Sequence, residues 1–372
     1  MKAGNVSAIV FANTSDERMG DLTAVRSSAS LPFGARYRLI DFALSNLVNA
    51  GISNVGVITK ENYRSLMDHI GSGIYWDLDR KNGGLHILPP FNIRNAIKYS
   101  GYVDALNGAK NYILRSKSDY IVICDANVVA NIELEAALEA HIENSADITL
   151  LWHKGNVPSN YSDTMVLKLD KEQRINELSF CEDGSAEQNH EFGFYIINTD
   201  VLINMIDLAY QNGLSDLKLA FFVDKVKKFR IFGFEHKGYL SVIDNEKSYY
   251  NANMDLLKAD TRAFLFNKER PILTKTRDDM PTRYGTHAVV SNCAIGDGCI
   301  IDGTVKNSIL FRGVKVEKGA VVENSIIMQS GVISKGANLN FAILDKNVTV
   351  GEDKVLCGTV DSALMIGKGK KL

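Results

Sequence analysis

The sequence predicts an α/β domain followed by a solenoid of stacked β-coils, and three observations carry that prediction. Short apolar, β-branched runs at 8–12, 55–59 and 119–125 each give way to polar residues, the composition of strands buried on both faces of a layered sheet. Helical spacing follows, as with Leu134, Leu138 and Ile142 within 132–142. From about Ala288 the helical period disappears, and similar side chains return every 17 positions: Ser308, Ser325 and Ala342; Val316, Ile333 and Val350; Gly319 and Gly336. Coils of three short strands, each stacking an aliphatic residue on the coil below, explain such a return.

At 372 residues the chain exceeds one ordinary domain. The change of texture divides it into an α/β domain at 1–257, a linker at 258–287 and the repeat domain at 288–372. The linker has no sustained periodicity, but its Pro271-Ile272-Leu273 is apolar enough to add an edge strand. A hydrophobic content of 45% and a charged content of 23% are those of a globular protein. The net charge of −2 offers nothing for nucleic acid or an anionic membrane. No basic-then-apolar leader follows Met1 and no apolar run reaches membrane length, so the expected location is cytoplasmic. Five scattered cysteines, without a CxxC pair, read as small buried hydrophobes rather than a zinc site or disulfide framework.

After the first strand the text turns polar from Asn13 to Arg18, and Pro32-Phe33-Gly34 leads to a helical segment at 40–50. Arg18, Leu22, Thr23, Arg26, Pro32, Phe33, Gly34, Tyr37, Arg38, Asp41, Ser45 and Asn46 stand here as they do in the sugar-nucleotide pyrophosphorylases. The stretch most resembles the ADP-glucose pyrophosphorylases of bacterial glycogen synthesis. Trp76, Gly83 and Gly84 continue the resemblance, as do Tyr99, Gly101, Asp104 and Ala105, and then Ser248, Asn253 and Asp255. The repeat is similar to the left-handed hexapeptide β-helix that ends those enzymes. The resemblance implies a GT-A-like, Rossmann-like nucleotidyltransferase domain with a mixed sheet, followed by a left-handed parallel β-helix. The reaction it implies joins ATP and glucose-1-phosphate into ADP-glucose and pyrophosphate, with Mg²⁺.

Asp125 ends an apolar strand, and ligands of open α/β sheets collect at such ends; a turn or helix-cap role is the other reading. The resemblance makes Asp125 one of two magnesium aspartates and puts the second on Val242, which has no donor atom. Gly83 and Gly84 read either as a hairpin turn or as a place where backbone approaches a base. By resemblance Thr59 and Lys60 lie near adenine, with Arg18, Gly101 and Asp104 as further nucleotide-binding remnants. Glu177, Glu191 and Gly193 are remnants of a sugar-phosphate site.

The departures cluster where phosphate or metal would be held. Asn13, Thr14 and Asp16, followed by Glu17, replace a glycine-rich loop, and carboxylates there would repel polyphosphate. Ser28 and Cys181 stand for two lysines, and Tyr102 for a threonine. No catalytic residue is therefore assigned, and the chain resembles the non-catalytic D-type subunits of Gram-positive glycogen operons. Such a subunit joins a catalytic ADP-glucose pyrophosphorylase subunit in a heterotetramer and raises its activity, with ATP, ADP-glucose or a phosphate effector as small-molecule partners. Two alternatives stand beside it. One is an active enzyme whose metal is held by Asp125 and Asp244; the other is a sugar-nucleotide sensor that binds without reacting.

Overall fold

The computed structural model describes residues 5–89, 101–157, 161–184, 186–222 and 226–372; Tyr99 lies outside them. A nine-stranded mixed sheet is built from β1 (Val6–Phe11), β2 (Asn54–Ile58), β3 (Gly84–Leu88), β4 (Tyr120–Asp125), β5 (Ile148–Asn156), β6 (Met165–Leu169), β7 (Ile175–Phe180), β8 (Glu187–Asn198) and β9 (Ile231–Glu235). Its order is β7-β6-β8-β4-β1-β2-β3, with β5 on β8 and β9 on β5. The helices are α1 (Leu39–Asn49), α2 (Arg64–Ile70), α3 (Tyr102–Ser116), α4 (Leu134–Glu143), α5 (Thr199–Gln211), α6 (Leu217–Phe221), α7 (Glu246–Asp255) and α8 (Ala259–Leu265).

Helices cover both faces of the sheet, which is why β1 reads as an unbroken apolar run. Ala8 and Val10 pack with residues of α1 and α4. Ile9 and Phe11 pack with residues of α3, α5 and α6. On α4, Leu134 and Leu138 are buried as expected, but Ile142 in the last turn is exposed.

Strands β1 to β4 run parallel, so their carboxyl ends gather on one side of the sheet. Strand β8 returns antiparallel to β4, with Phe194 opposite Cys124, and so brings Glu191 and Gly193 to that same side. A separate two-stranded ladder pairs Val242 with Val128, just beyond β4.

The C-terminal solenoid has five coils, whose strands form three five-stranded parallel sheets. Its register follows the 17-residue return. Ile309, Ile326 and Ile343 stack in line, as do Val316, Ile333 and Val350, and all six are buried. The Ser308 hydroxyl accepts the Ser325 N–H, and the Ser325 hydroxyl accepts the Ala342 N–H, each at 3.1 Å. The small residue thus satisfies a backbone donor that the corner would otherwise leave unpaired.

The segment read as a linker is more structured than its composition suggests. It holds α8, and its strand Arg283–Tyr284 already pairs with Ile300–Ile301 of the next coil. Residues 271–273 add no edge strand. The Pro271 carbonyl accepts the Asn49 amide and the Leu273 N–H goes to Ser45 Oγ, so side chains of α1 take the place of a β ladder.

The two domains share one core. Met19, Leu22, Phe33 and Tyr249 pack with Ile309, Phe311, Ile326 and Met328 of the solenoid. Across this junction the Arg26 guanidinium, 2% exposed, holds both oxygens of Asp345, 0% exposed, at 2.9 and 2.7 Å. All five cysteines are free thiols; Cys124, Cys181 and Cys299 are buried, but Cys357 is exposed, which the reading as buried hydrophobes did not anticipate. Among the described residues no helix is long and apolar enough to cross a membrane.

Candidate functional site

At the carboxyl ends of the parallel strands lies a cavity of about 330 Å³. Of the residues singled out from sequence, Thr14, Arg18, Asp125, Glu191, Gly193 and Val242 line it, and so does Asp244. A smaller cleft beside it is walled by Asn13, Thr14, Lys60, Gly101 and Tyr102.

Asp125 stands at the end of β4, where its Oδ1 accepts the hydroxyls of Thr14 at 3.0 Å and Tyr102 at 3.4 Å. Burial raises its pKa to about 7 in spite of Lys218, and Glu191 adds to the rise. Gly193 has a φ of +79° and its missing Cβ would collide with the Asp125 carboxylate, so no other residue fits there. The pairing of β8 with β5 shifts register between Glu191 and Tyr195, a bulge that re-aims side chains into the site.

Glu191 is buried and fully engaged. Its carboxylate accepts Lys218 Nζ at 2.5 Å, the Tyr195 hydroxyl at 2.6 Å and the Gly193 N–H at 2.8 Å. Burial alone would raise Glu191, but Lys218 and these donors bring it below the ordinary carboxylate value. Burial likewise works against a charged Lys218, and Glu191 outweighs it, holding that lysine above its ordinary value. Lys218 was not singled out from sequence. A lone lysine among Leu217, Leu219, Ala220 and Phe221 was the available signal.

The loop after β1 satisfies itself. The Asp16 carboxylate accepts the Ser28 N–H at 2.7 Å and also the Asn13 amide. Asn13 Oδ1 in turn accepts the Lys60 N–H at 2.9 Å. Backbone N–H groups at a glycine-rich loop are free to cradle phosphate; here the loop side chains Asn13 and Asp16 instead bind the neighbouring N–H groups of Lys60 and Ser28. Ser28 is buried beneath the loop, while Glu17 is exposed and outside the cavity wall. Asp16, bonded to Ser28 and Asn13, is likewise outside both cavity walls, so neither loop carboxylate stands where the sequence placed it against polyphosphate. The Tyr102 ring packs on Phe11, with centroids 4.5 Å apart, and fills space that a threonine would leave open.

Several residues grouped with the site from sequence lie elsewhere. Gly83 and Gly84 sit at the amino end of β3, where Gly84 pairs with Asn54 and Leu88 with Ile58. Four residues of strand, about 13 Å, separate them from the site. No strand lies between Trp76 and Gly84 to pair with β3, so the two glycines close no hairpin. A Cβ on Gly84 would stand 2.7 Å from the Leu78 carbonyl, so packing accounts for that glycine. Glu177 is exposed and pairs with Lys168 across β6 and β7 at 2.9 Å. Cys181 is buried with its thiol toward the Asp183 carbonyl; its neighbour Phe180 lines the cavity instead. Thr59 is buried with an unpartnered hydroxyl, and Asp104 sits in the first turn of α3, outside both cavity walls.

Val242 occupies the wall beside Asp125 without a donor atom, so the second aspartate of the family's magnesium pair is missing there, and Asp244 is the other nearby carboxylate of the wall that the sequence singled out. Among the described residues no three His, Cys, Asp or Glu side chains converge to hold a metal.

A mixed sheet with a polar site at its strand ends, joined to a hexapeptide-type solenoid, is the two-domain arrangement that the family comparisons match. Residues 7–258 match the family described as Nucleotidyl transferase, and 278–362 match the GlmU-like C-terminal hexapeptide family. The chain belongs to the nucleotidyl transferase family, and its solenoid is a left-handed β-helix. It is 35% identical to the Glycogen biosynthesis protein GlgD of Bacillus subtilis, over 97% of this chain and 95% of that one. To the GlgD of Geobacillus stearothermophilus it is 39% identical, over 84% and 82% of the two chains. A Glucose-1-phosphate adenylyltransferase of that same organism is 32% identical, over 85% and 82%.

Proposed function

We propose that this chain is a non-catalytic, regulatory subunit of an ADP-glucose pyrophosphorylase in glycogen synthesis. It assembles with a catalytic paralogue into a hetero-oligomer, a tetramer, and raises that partner's activity. One observation carries the reading: among the described residues, both cations of the cavity wall are paired with carboxylates of the protein, Lys218 with the buried Glu191 and Arg18, at the exposed rim, with Asp163. Nucleotidyl transfer is catalysed by positioning and by neutralising phosphate charge, and a wall whose buried lysine already serves an internal carboxylate supplies little of either. The presence of both a GlgD and a Glucose-1-phosphate adenylyltransferase among the Geobacillus relatives supports a division of labour between two related chains.

The test is co-expression with the adenylyltransferase encoded in the same genome. The isolated chain is expected to form ADP-glucose at least a thousandfold more slowly than the partner, since each lost contact to developing charge costs about 3–4 kcal/mol. The mixture is expected to co-elute and to exceed the partner alone in rate. If the isolated chain turns over within tenfold of the partner and Asp244→Asn abolishes that activity, the chain is an enzyme with a rearranged metal site.

A further inference from the structure

We infer that three histidines beside the cavity form an acid-released latch, which seats α8 and the linker against the first domain and lets go when the row is charged. His190 on β8 stands opposite His153 on β5. His236 follows β9, and its backbone N–H donates to the Trp152 carbonyl at 2.7 Å, which sets it beside His153. The rings make one row, with centroids 5.8 Å apart for His153 and His190 and 6.1 Å for His153 and His236. One end of the row meets both the cavity wall and the linker. The His236 ring packs on Phe192 at 5.8 Å and on Phe264 of α8 at 5.7 Å. Phe264 in turn lies over Gly238, where a Cβ would collide with its ring, and packs against the core shared with the solenoid.

Hydrogen bonds fix the row in its neutral form. His153 Nδ1 donates to the His236 carbonyl at 2.8 Å, His190 Nδ1 to the Gln188 carbonyl at 3.2 Å, and His236 Nε2 to the Tyr239 carbonyl at 3.1 Å. A carbonyl can only accept, so each neutral ring spends its one N–H there, and a further proton goes to the other nitrogen. Among the described residues no carboxylate bonds those other nitrogens. Glu191, next to His190, is taken by Lys218. Glu133, which acts on His236 from the start of α4, is taken by Arg270 at 3.2 Å, and that arginine opposes a charge on His236. Glu235 and Lys237 flank His236 and pair with each other at 3.9 Å. His190 and His236 are 1% and 5% exposed, so a charged row puts like charges in the interior without a counterion. Burial holds both below the ordinary imidazole value, His236 at about 4, and His153 adds to the effect. Released from the row, they titrate near 6.5. The latch is therefore whole above pH 6.5 and weakens as pH falls below it, by up to about tenfold per histidine between pH 7.5 and 5.5.

The experiment follows hydrogen–deuterium exchange of the full chain at pH 7.5, 6.5 and 5.5, corrected for the intrinsic rate at each pH. Peptides from 236–243 and 259–266 are expected to open at least tenfold more at pH 5.5 than at 7.5, with α3 changing less than twofold. His190→Asn combined with His236→Gln keeps a donor for each carbonyl but takes up no proton, and should abolish the rise. Should that variant not fold, NMR titration of the unmodified chain reads the same point: His190 and His236 stay neutral below pH 6 until α8 opens. Exchange at α8 that is the same at all three pH values overturns the inference, as does a double variant that keeps the rise. Titration of both histidines near 6.5 with α8 still closed overturns it too. The readout needs no partner subunit, so it is separate from the test of regulation.

Discussion

Asp125 carries its carboxyl at about 7 because it is buried beside Glu191, and that shift has a sign in stability. Unfolded, the group titrates near 4. Between about pH 4 and 7 the folded chain retains a proton that the unfolded chain has released, so stability falls as pH rises through that window. Below pH 4 both states are protonated and the penalty vanishes. Asp125→Asn cannot ionise, and is expected to melt a few degrees above the parent at pH 8 and level with it at pH 4. Calorimetry at the two pH values checks this; an equal gain at both would assign the effect to packing. The tuned group is a consequence of its neighbours: Thr14, Tyr102 and the Glu191–Gly193 stretch of β8 come from three separate places in the chain.

Elements carry the link between the two domains. The loop after β1 contributes Met19, Leu22 and Arg26 to the junction, α7 contributes Tyr249, and the Tyr250 hydroxyl reaches the Asn324 carbonyl of the solenoid at 2.7 Å. Truncation after residue 287 would therefore remove Asp345 and Met328 from Arg26, leaving its guanidinium to water, and uncover an apolar face whose exposure sets the cost. Residues 1–287 are expected to melt at least 10 °C below the full chain or to aggregate, followed by thermal melting with a dye for exposed apolar surface. A truncated chain as stable as the parent would show that the junction is a contact between independent units.

For the whole molecule, the departures at the site act as a set. Restoring Ser28→Lys and Val242→Asp supplies two missing charges, but Asp16 still occupies the Ser28 N–H and Tyr102 still packs on Phe11 in the cleft. The double variant is expected to stay inactive. Adding Asp16→Gly and Tyr102→Thr is expected to produce measurable ADP-glucose in a single-turnover assay, because groups that act on one phosphate–metal unit are strongly non-additive. If the double variant already works, the self-satisfied loop is no obstacle.

The sequence by itself determined the layered domain, the solenoid and its register, because these follow from local periodicity: unbroken apolar runs for strands covered twice, and a 17-residue return for stacked coils. By resemblance it also put Ser28 and Val242 where related enzymes carry a lysine and an aspartate, and neither side chain offers that charge. Tertiary structure alone decided where the remaining polar groups went. Lys218 on α6 meets Glu191 on β8, Asp16 turns to the Ser28 N–H, and Gly84 falls at the far end of its strand. Those outcomes depend on strand direction and on partners tens of residues away. A linear pattern states which side chains exist, whereas pairing and burial decide which atoms they have left to offer.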